Sequence, residues 1–255
     1  MKLLIKLGGT LLDAPECRAR LAAEITEIAR SHQVVVVHGG GKQMTRYLAE
    51  RNVESRFVNG MRVTTPEVVD AVLKVFAGSV NSQLVGAFRA AGASPVGLTG
   101  LDSGLVDAEP LAEELGAVGK PVRSDARLLT VLTRDRYLPV VACVAGDAHG
   151  AVYNVNADQM AVACASSYGA QKLIFLTDVD GVKGADGQLL PSLTAAAARA
   201  LVENGIATGG MQAKLEAAMG ALQSGVAEIV IAPGAKAGIV EAILAAKEIG
   251  TRVVS

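Results

Sequence analysis

Seven short apolar runs alternating with longer amphipathic or alanine-rich stretches constrain this chain more than any other feature. The runs are LLIKL (3–7), VVVV (34–37), PVGL (95–98), LPVVACV (138–144), KLIFL (172–176), EIVIA (228–232) and RVV (252–254). Runs of this kind suit strands covered on both faces, as in a parallel sheet. Between them, residues 15–30, 42–52, 66–90, 157–168, 194–204, 210–224 and 237–247 read as helices. The alternation predicts an α/β fold, a mostly parallel sheet with helices on both sides. One helix start is marked by Thr64-Thr65-Pro66-Glu67, which offers an N-cap hydroxyl, a first-turn proline and an early acid facing the helix dipole.

Charge narrows the partners. Lys plus Arg number 24 against 25 Asp plus Glu, so no basic field exists to draw nucleic acid or an anionic membrane. Every apolar run is broken by Gly, Pro or a charge before the roughly 18 residues a membrane span needs, so a soluble protein is expected. Lys6 interrupts the N-terminal run too early for a signal peptide. Cys17, Cys143 and Cys164 are odd in number and far apart, which fits a reduced cytosol and argues against a metal site.

In a parallel α/β sheet, ligands sit in loops beyond the carboxyl ends of the strands. Four glycine clusters fall at strand ends or helix starts: KLGGT (6–10), HGGGK (38–42), GLTG (97–100) and TGGMQAK (208–214). A fifth loop, LTDVDGV (176–182), carries two acids instead. HGGGK is no P-loop, because the position five before Gly41 is Val36 and Lys42 is followed by Gln43. Nor is it a dinucleotide fingerprint, because 39–44 reads G-G-G-K-Q-M. His-Arg-Asp and Asp-Phe-Gly stretches of protein kinases are absent from the sequence.

What the clusters offer is backbone N–H groups at helix starts, suited to anions. Lys6 and Lys214 flank two of them, and Asn154, Asn156 and Asp158 open another helix. Many donors around one crevice point to phosphoryl transfer between two anionic molecules, where a protein mainly positions partners and neutralises charge. His38 reads as a packed strand-end residue and Lys42 as a solvated first-turn residue. Asn154 and Asn156 serve equally as turn or cap residues. Asp178 and Asp180 either shape a turn or approach a nucleotide.

Eight stretches taken in order, KLGGTLL, VVVVHGGGKQM, NGMRVTTPEVVDAV, GSVNSQLV, GLTGLD, YNVNADQMA, LTDVDGV and GGMQAKLEAA, resemble the acetylglutamate kinases within the amino-acid kinase family. The resemblance runs from Met1 to Ser255. It implies ATP- and Mg²⁺-dependent phosphorylation of the side-chain carboxylate of N-acetyl-L-glutamate in cytoplasmic arginine biosynthesis. It also implies a three-layer αβα sandwich around a mainly parallel sheet of about eight strands. Residues 1–170 would form a lobe for the acyl amino acid and for dimer contact, and 171–255 a lobe for ATP.

Position by position, the resemblance implies that Lys6 and Lys214 stabilise the transferring phosphoryl group and that Asp158 holds them. Gly40, Gly41, Arg62, Asn154 and Asn156 fall at substrate-binding positions, with Gly8 and Gly9 as backbone donors near the phosphate. Thr177, Asp178, Val179, Asp180, Gly181 and Val182, together with Gly209, Gly210 and Met211, fall in nucleotide-binding segments. A carboxylate nucleophile is already ionised at neutral pH, so no general base is needed. The bidentate fork of Arg62 suits a planar carboxylate, and compact ammonium groups suit a moving phosphoryl group.

Two stretches depart from the family wording. Leu98-Thr99-Gly100-Leu101-Asp102-Ser103-Gly104 replaces a shorter loop, and 109–123 reads as a hairpin-like excursion. Because Met1 leads directly into the first strand, the resemblance implies the shorter, homodimeric, arginine-insensitive type. Kinases for N-succinylglutamate or for carrier-linked aminoadipate or glutamate are the nearest alternatives, and a non-catalytic amino-acid sensor is the alternative from another class.

Overall fold

The computed structural model describes residues 1–58 and 60–254, with Gly9 described only as a member of its turn. The first half runs β1 (Lys2–Leu7), α1 (Pro15–Ala29), β2 (Gln33–His38), α2 (Gly41–Ala49) and a small hairpin of β3 (Phe57–Val58) and β4 (Met61–Arg62). Helix α3 (Pro66–Val72) continues through a π-helical stretch, Leu73–Val80, into α4 (Asn81–Ala90) and then β5 (Pro95–Thr99). Next come β6 (Val106–Pro110), β7 (Val118–Ser124), α5 (Arg127–Arg134), β8 (Leu138–Ala142), β9 (Val144–Gly146), β10 (Val152–Val155) and α6 (Ala157–Tyr168). The remainder is β11 (Lys172–Thr177), β12 (Ser192–Thr194), α7 (Ala195–Glu203), α8 (Gly209–Gln223), β13 (Glu228–Pro233), α9 (Ile239–Leu244) and β14 (Thr251–Val254).

Eight strands form one sheet in the order β12-β14-β13-β11-β1-β2-β8-β5, parallel throughout except for β13 against β14. Leu3, Leu4, Ile5 and Val35 to Val37 are fully buried on β1 and β2, because helices cover both faces. Helices α1, α4 and α9 pack together on one face, and α5, α6, α7 and α8 on the other. The fold is therefore the αβα sandwich expected. The expected lobe boundary at 170 falls between β1 and β11 in space, which pair directly, so four strands from each side share one sheet.

Strand 138–144 is two strands. β8 stays in the large sheet, whereas β9 leaves it to pair antiparallel with β10, so that β10, β7, β6 and β9 form a small closed barrel of their own. A single apolar run carries no mark of which sheet each half serves. Segment 109–123 forms the expected hairpin, with Glu109 opposite Lys120 and a 3-10 turn at Glu113–Leu115. Helix α5 and strand β12 were not expected from the pattern; α5 is short and buries only Leu129 and Thr133. The Thr65 hydroxyl does not cap α3: it donates to the Glu67 carboxylate at 2.7 Å. Pro66–Ala90 is one helix long and apolar enough to cross a membrane by length and composition. Its apolar side, including Val72, Phe76, Leu84 and Phe88, is buried in the core.

Candidate active site

Parallel strands deliver their carboxyl ends to one edge of the sheet, and the chemistry gathers there. Lys6 is the second-last residue of β1, Asp158 lies in the first turn of α6, and Lys214 lies in the second turn of α8. Three elements thus bring one carboxylate and two ammonium groups together. Lys6 Nζ is 2.7 Å from Asp158 Oδ1, and Lys214 Nζ is 3.3 Å from Oδ2. Burial alone would push the Asp158 carboxyl up, but the charges of Lys6 and Lys214 outweigh it and hold the group below its usual value. Asn156 aims the acid: its Oδ1 accepts from the amides of Asp158 at 2.8 Å and Gln159 at 3.3 Å, capping α6. A cleft of about 650 Å³ opens over Asp158 and Lys214, lined also by Met61, Asn156, Gly209 and Gly210. At its α8 rim, the amides of Gly209 and Gly210 belong to the first turn of a 15-residue helix and have no intrahelical acceptor.

A second cluster surrounds Arg62, which is 9% exposed. Its guanidinium donates to Ser55 Oγ, to Thr45 Oγ1 at 2.8 Å and to the Gly41 carbonyl at 3.4 Å, and lies over the Phe57 ring. Burial lowers its pKa, and no carboxylate among the described residues pairs with it. A largely buried cation held only by neutral groups is suited to receive an anion. Asn154 joins the same network, donating to Thr64 Oγ1 at 3.0 Å, whose hydroxyl donates to Arg62 O at 2.9 Å. Gly40 and Gly41 lead into α2 beside it. A Cβ at Gly40 would lie 2.8 Å from the Phe76 ring, whereas one at Gly41 would meet nothing within 4 Å.

The remaining predicted residues are placed less uniformly. The Gly8 N–H is already taken by Leu176 O at 2.9 Å, tying β1 to β11, so it is not a free phosphate donor. Gly9 is described only as the first residue of the turn Gly9–Leu12. Thr177 is buried and donates to Asp178 Oδ1 at 3.1 Å, while Asp178, Val179 and Asp180 are exposed. Asp180 stands 3.7 Å from Lys236, and the Val182 amide donates to Thr251 Oγ1. Gly181, at φ 149°, leaves no room for a Cβ between Leu189 and Thr251. None of Thr177 to Val182 lines the 650 Å³ cleft. The Met211 amide is engaged by Thr208 O at 3.2 Å.

A profile of the amino acid kinase family matches residues 1–233. The chain is 60% identical over 256 residues to the acetylglutamate kinase of Solibacter usitatus, covering all of both chains. The chain belongs to the amino acid kinase family. It is also 42% identical to the acetylglutamate kinase of Koribacter versatilis, over 93% of this chain and 92% of that one. Among solved structures, N-acetylglutamate synthase from Neisseria gonorrhoeae, complexed with coenzyme A and N-acetyl-glutamate, matches with TM-score 0.89 at 25% identity. The match covers 100% of this chain and 59% of that synthase.

A larger cavity, about 860 Å³, lies at the opposite edge of the sheet of this amino acid kinase, where the strands begin. Two of its cations serve helix C-termini, Lys2 Nζ donating to Tyr168 O at 2.9 Å and Arg136 to Arg30 O at 2.9 Å, and Arg30 and Arg134 pair with Glu27 and Asp135. The lysine pair therefore marks the candidate active edge. Three contributors were missed from the sequence, Thr45, Ser55 and Phe57, all around Arg62. Thr45 alone carried a signal, since it stands four residues after Gly41 on a helix and its hydroxyl donates to Gly41 O at 2.9 Å.

Proposed function

We propose that this kinase transfers the γ-phosphoryl group of ATP to the side-chain carboxylate of N-acetyl-L-glutamate, within arginine biosynthesis in the cytoplasm. The observation that carries the proposal is the buried Asp158 carboxylate holding Lys6 and Lys214 at 2.7 and 3.3 Å, at the edge where the sheet opens. The acceptor oxygen forms a new bond to phosphorus as the bond to ADP breaks, and no proton moves. The obstacle is repulsion between two anions, which two ammonium groups reduce. The Asp158 carboxylate holds both ammonium groups in place for the phosphoryl group, at 2.7 and 3.3 Å. Arg62 would grip the α-carboxylate of the acceptor beside Gly40, Gly41 and Asn154, on the half of the sheet built from residues 1–170. The nucleotide would lie on the half built from 171–255, its phosphates toward the free amides of Gly209 and Gly210.

Mg²⁺ would arrive on ATP as part of the substrate. Among the described residues no three His, Cys, Asp or Glu side chains gather to cage a metal. The homodimer is carried by the family resemblance, and light scattering that shows a monomer or a hexamer would reject it. The reaction is tested by coupled ADP release with acetyl-, succinyl- and unblocked glutamate. N-acetylglutamate should be turned over best; preference for another acyl acid would move the substrate, and no turnover with any would leave the sensor reading.

A further inference from the structure

His38 ends β2 with its imidazole fully buried, one residue before the glycine turn, and the reaction proposed above has no chemical task for it. Its surroundings fix its hydrogens. Asn81, at the start of α4, presents its Nδ2 to both His38 Nε2 at 3.0 Å and Val140 O at 2.9 Å. Turning that amide over would set its oxygen against the Val140 carbonyl, so both amide hydrogens are donated as drawn. Nε2 must then accept, and a neutral ring carries its hydrogen on Nδ1. Burial lowers the His38 pKa to about 4, so the ring is neutral at physiological pH. Nδ1–H donates to Gly39 O at 2.8 Å.

A trans peptide sets its C=O and N–H in opposite directions, and there are no cis bonds among the described residues. With the Gly39 carbonyl drawn to the imidazole, the Gly40 N–H points away from it. No described residue accepts from that amide. Gly40 opens α2 beside Gly41, whose carbonyl touches Arg62 at 3.4 Å. The order therefore runs from β5 inward: Gly97 has no side chain because a Cβ there would lie 2.2 Å from Asn81 Oδ1, Asn81 sets the His38 tautomer, and His38 sets the peptide.

We infer that Asn81 and His38 are positioning residues that lock the Gly39–Gly40 peptide so that the Gly40 N–H is presented to the acyl-amino-acid acceptor. The inference rests on the substrate reading above. It assigns no bond-making role to either side chain. A flipped peptide would instead turn the Gly39 carbonyl toward the anionic acceptor, which repels it.

The full-length chain carrying His38→Leu, His38→Asn and Gly97→Ala separates a lock from mere packing. An Asn amide can place a donor where Nδ1 stands, and Leu cannot. For His38→Leu, KM for N-acetylglutamate should rise about tenfold to a hundredfold, the range of one lost hydrogen bond to a charged group, with KM for ATP within about twofold. His38→Asn should recover most of that loss, and Gly97→Ala, by displacing the Asn81 amide, should show the same split more weakly. An unchanged acceptor KM in His38→Leu, or equal losses in the Leu and Asn variants, would overturn the inference. Nitrogen-15 NMR of the imidazole in the unsubstituted protein provides a reading that needs neither substrate nor a folded variant. A neutral ring protonated at Nδ1 is expected, and protonation at Nε2 or an imidazolium at neutral pH overturns the lock. Absence of turnover in the unsubstituted enzyme would reject the reaction itself, with the tautomer still deciding the lock.

Discussion

Lys6 Nζ and Asp158 Oδ1 stand 2.7 Å apart, with both side chains more than nine-tenths buried. Lys214 completes the set from the cleft side, so the buried carboxylate faces an ammonium group at each of its oxygens. Asp158→Asn should therefore leave Lys6 as an uncompensated buried charge and cost about 3–5 kcal/mol of stability at pH 7. The Asp158 pKa is depressed in the folded state, so its pairing stabilises the fold at pH values above about 4 and is lost as acid protonates the folded carboxyl. Denaturant unfolding of the two proteins from pH 7 downward should show the gap constant at first and closing below about pH 4. A gap that widens in acid would contradict the pairing.

Removing either ammonium should affect turnover more than ground-state binding, because the phosphoryl group spreads most charge in the transition state. Lys6→Met and Lys214→Met are each expected to lower kcat about 10²- to 10³-fold, with smaller changes in either KM. Steady-state kinetics with ATP and N-acetylglutamate check this, and an unchanged kcat removes that lysine from the mechanism. Lys214, at the cleft rim, should leave the melting temperature nearly intact, whereas losing buried Lys6 should not.

Strand and helix periodicity made the large sheet legible, because strands covered on both faces are apolar throughout. β1, β2, β11 and β13 all lie within a residue or two of their expected bounds. Periodicity could not show β9 leaving the sheet after Ala142, since Val144 and Ala145 are as apolar as the strand before them. Glycine clusters and lysines pointed to the edge where the parallel strands end, and Lys6 and Lys214 meet there on Asp158. Yet the Gly8 amide is spent on Leu176 O, and Asn156 turns out to cap the helix that carries Asp158. Whether a given N–H faces a ligand or a neighbouring strand depends on pairing, which glycine content does not encode. Ser55 and Phe57 were invisible because their contact with Arg62 is made across a small hairpin rather than along a periodic element.

The Arg62 fork is spread between Ser55, Thr45 and the Gly41 carbonyl, so shape as well as charge would matter to a carboxylate it held. Lysine keeps the charge but cannot keep two parallel donors on a carboxylate while stacked on Phe57. Arg62→Lys should raise the N-acetylglutamate KM about tenfold or more, leaving KM for ATP close to that of the unsubstituted enzyme. Equal rises in both constants would show that Arg62 supports the whole site rather than the acceptor.

Gly40 and Gly41 are adjacent but lack side chains for different reasons, and alanine separates them. At Gly40 a Cβ would approach the Phe76 ring to 2.8 Å and Val80 to 3.3 Å. Phe76 is 6% exposed and has little space to retreat. Gly40→Ala should thus cost about 1–3 kcal/mol through overpacking, visible as a lower denaturation midpoint even without substrate. At Gly41 nothing lies within 4 Å of the added carbon, so Gly41→Ala should fold with an unchanged midpoint. If that open space admits the acceptor, Gly41→Ala raises its KM while ATP binding, measured by calorimetry, stays the same. A Gly41→Ala enzyme with unaltered acceptor KM would place N-acetylglutamate elsewhere along the strand ends.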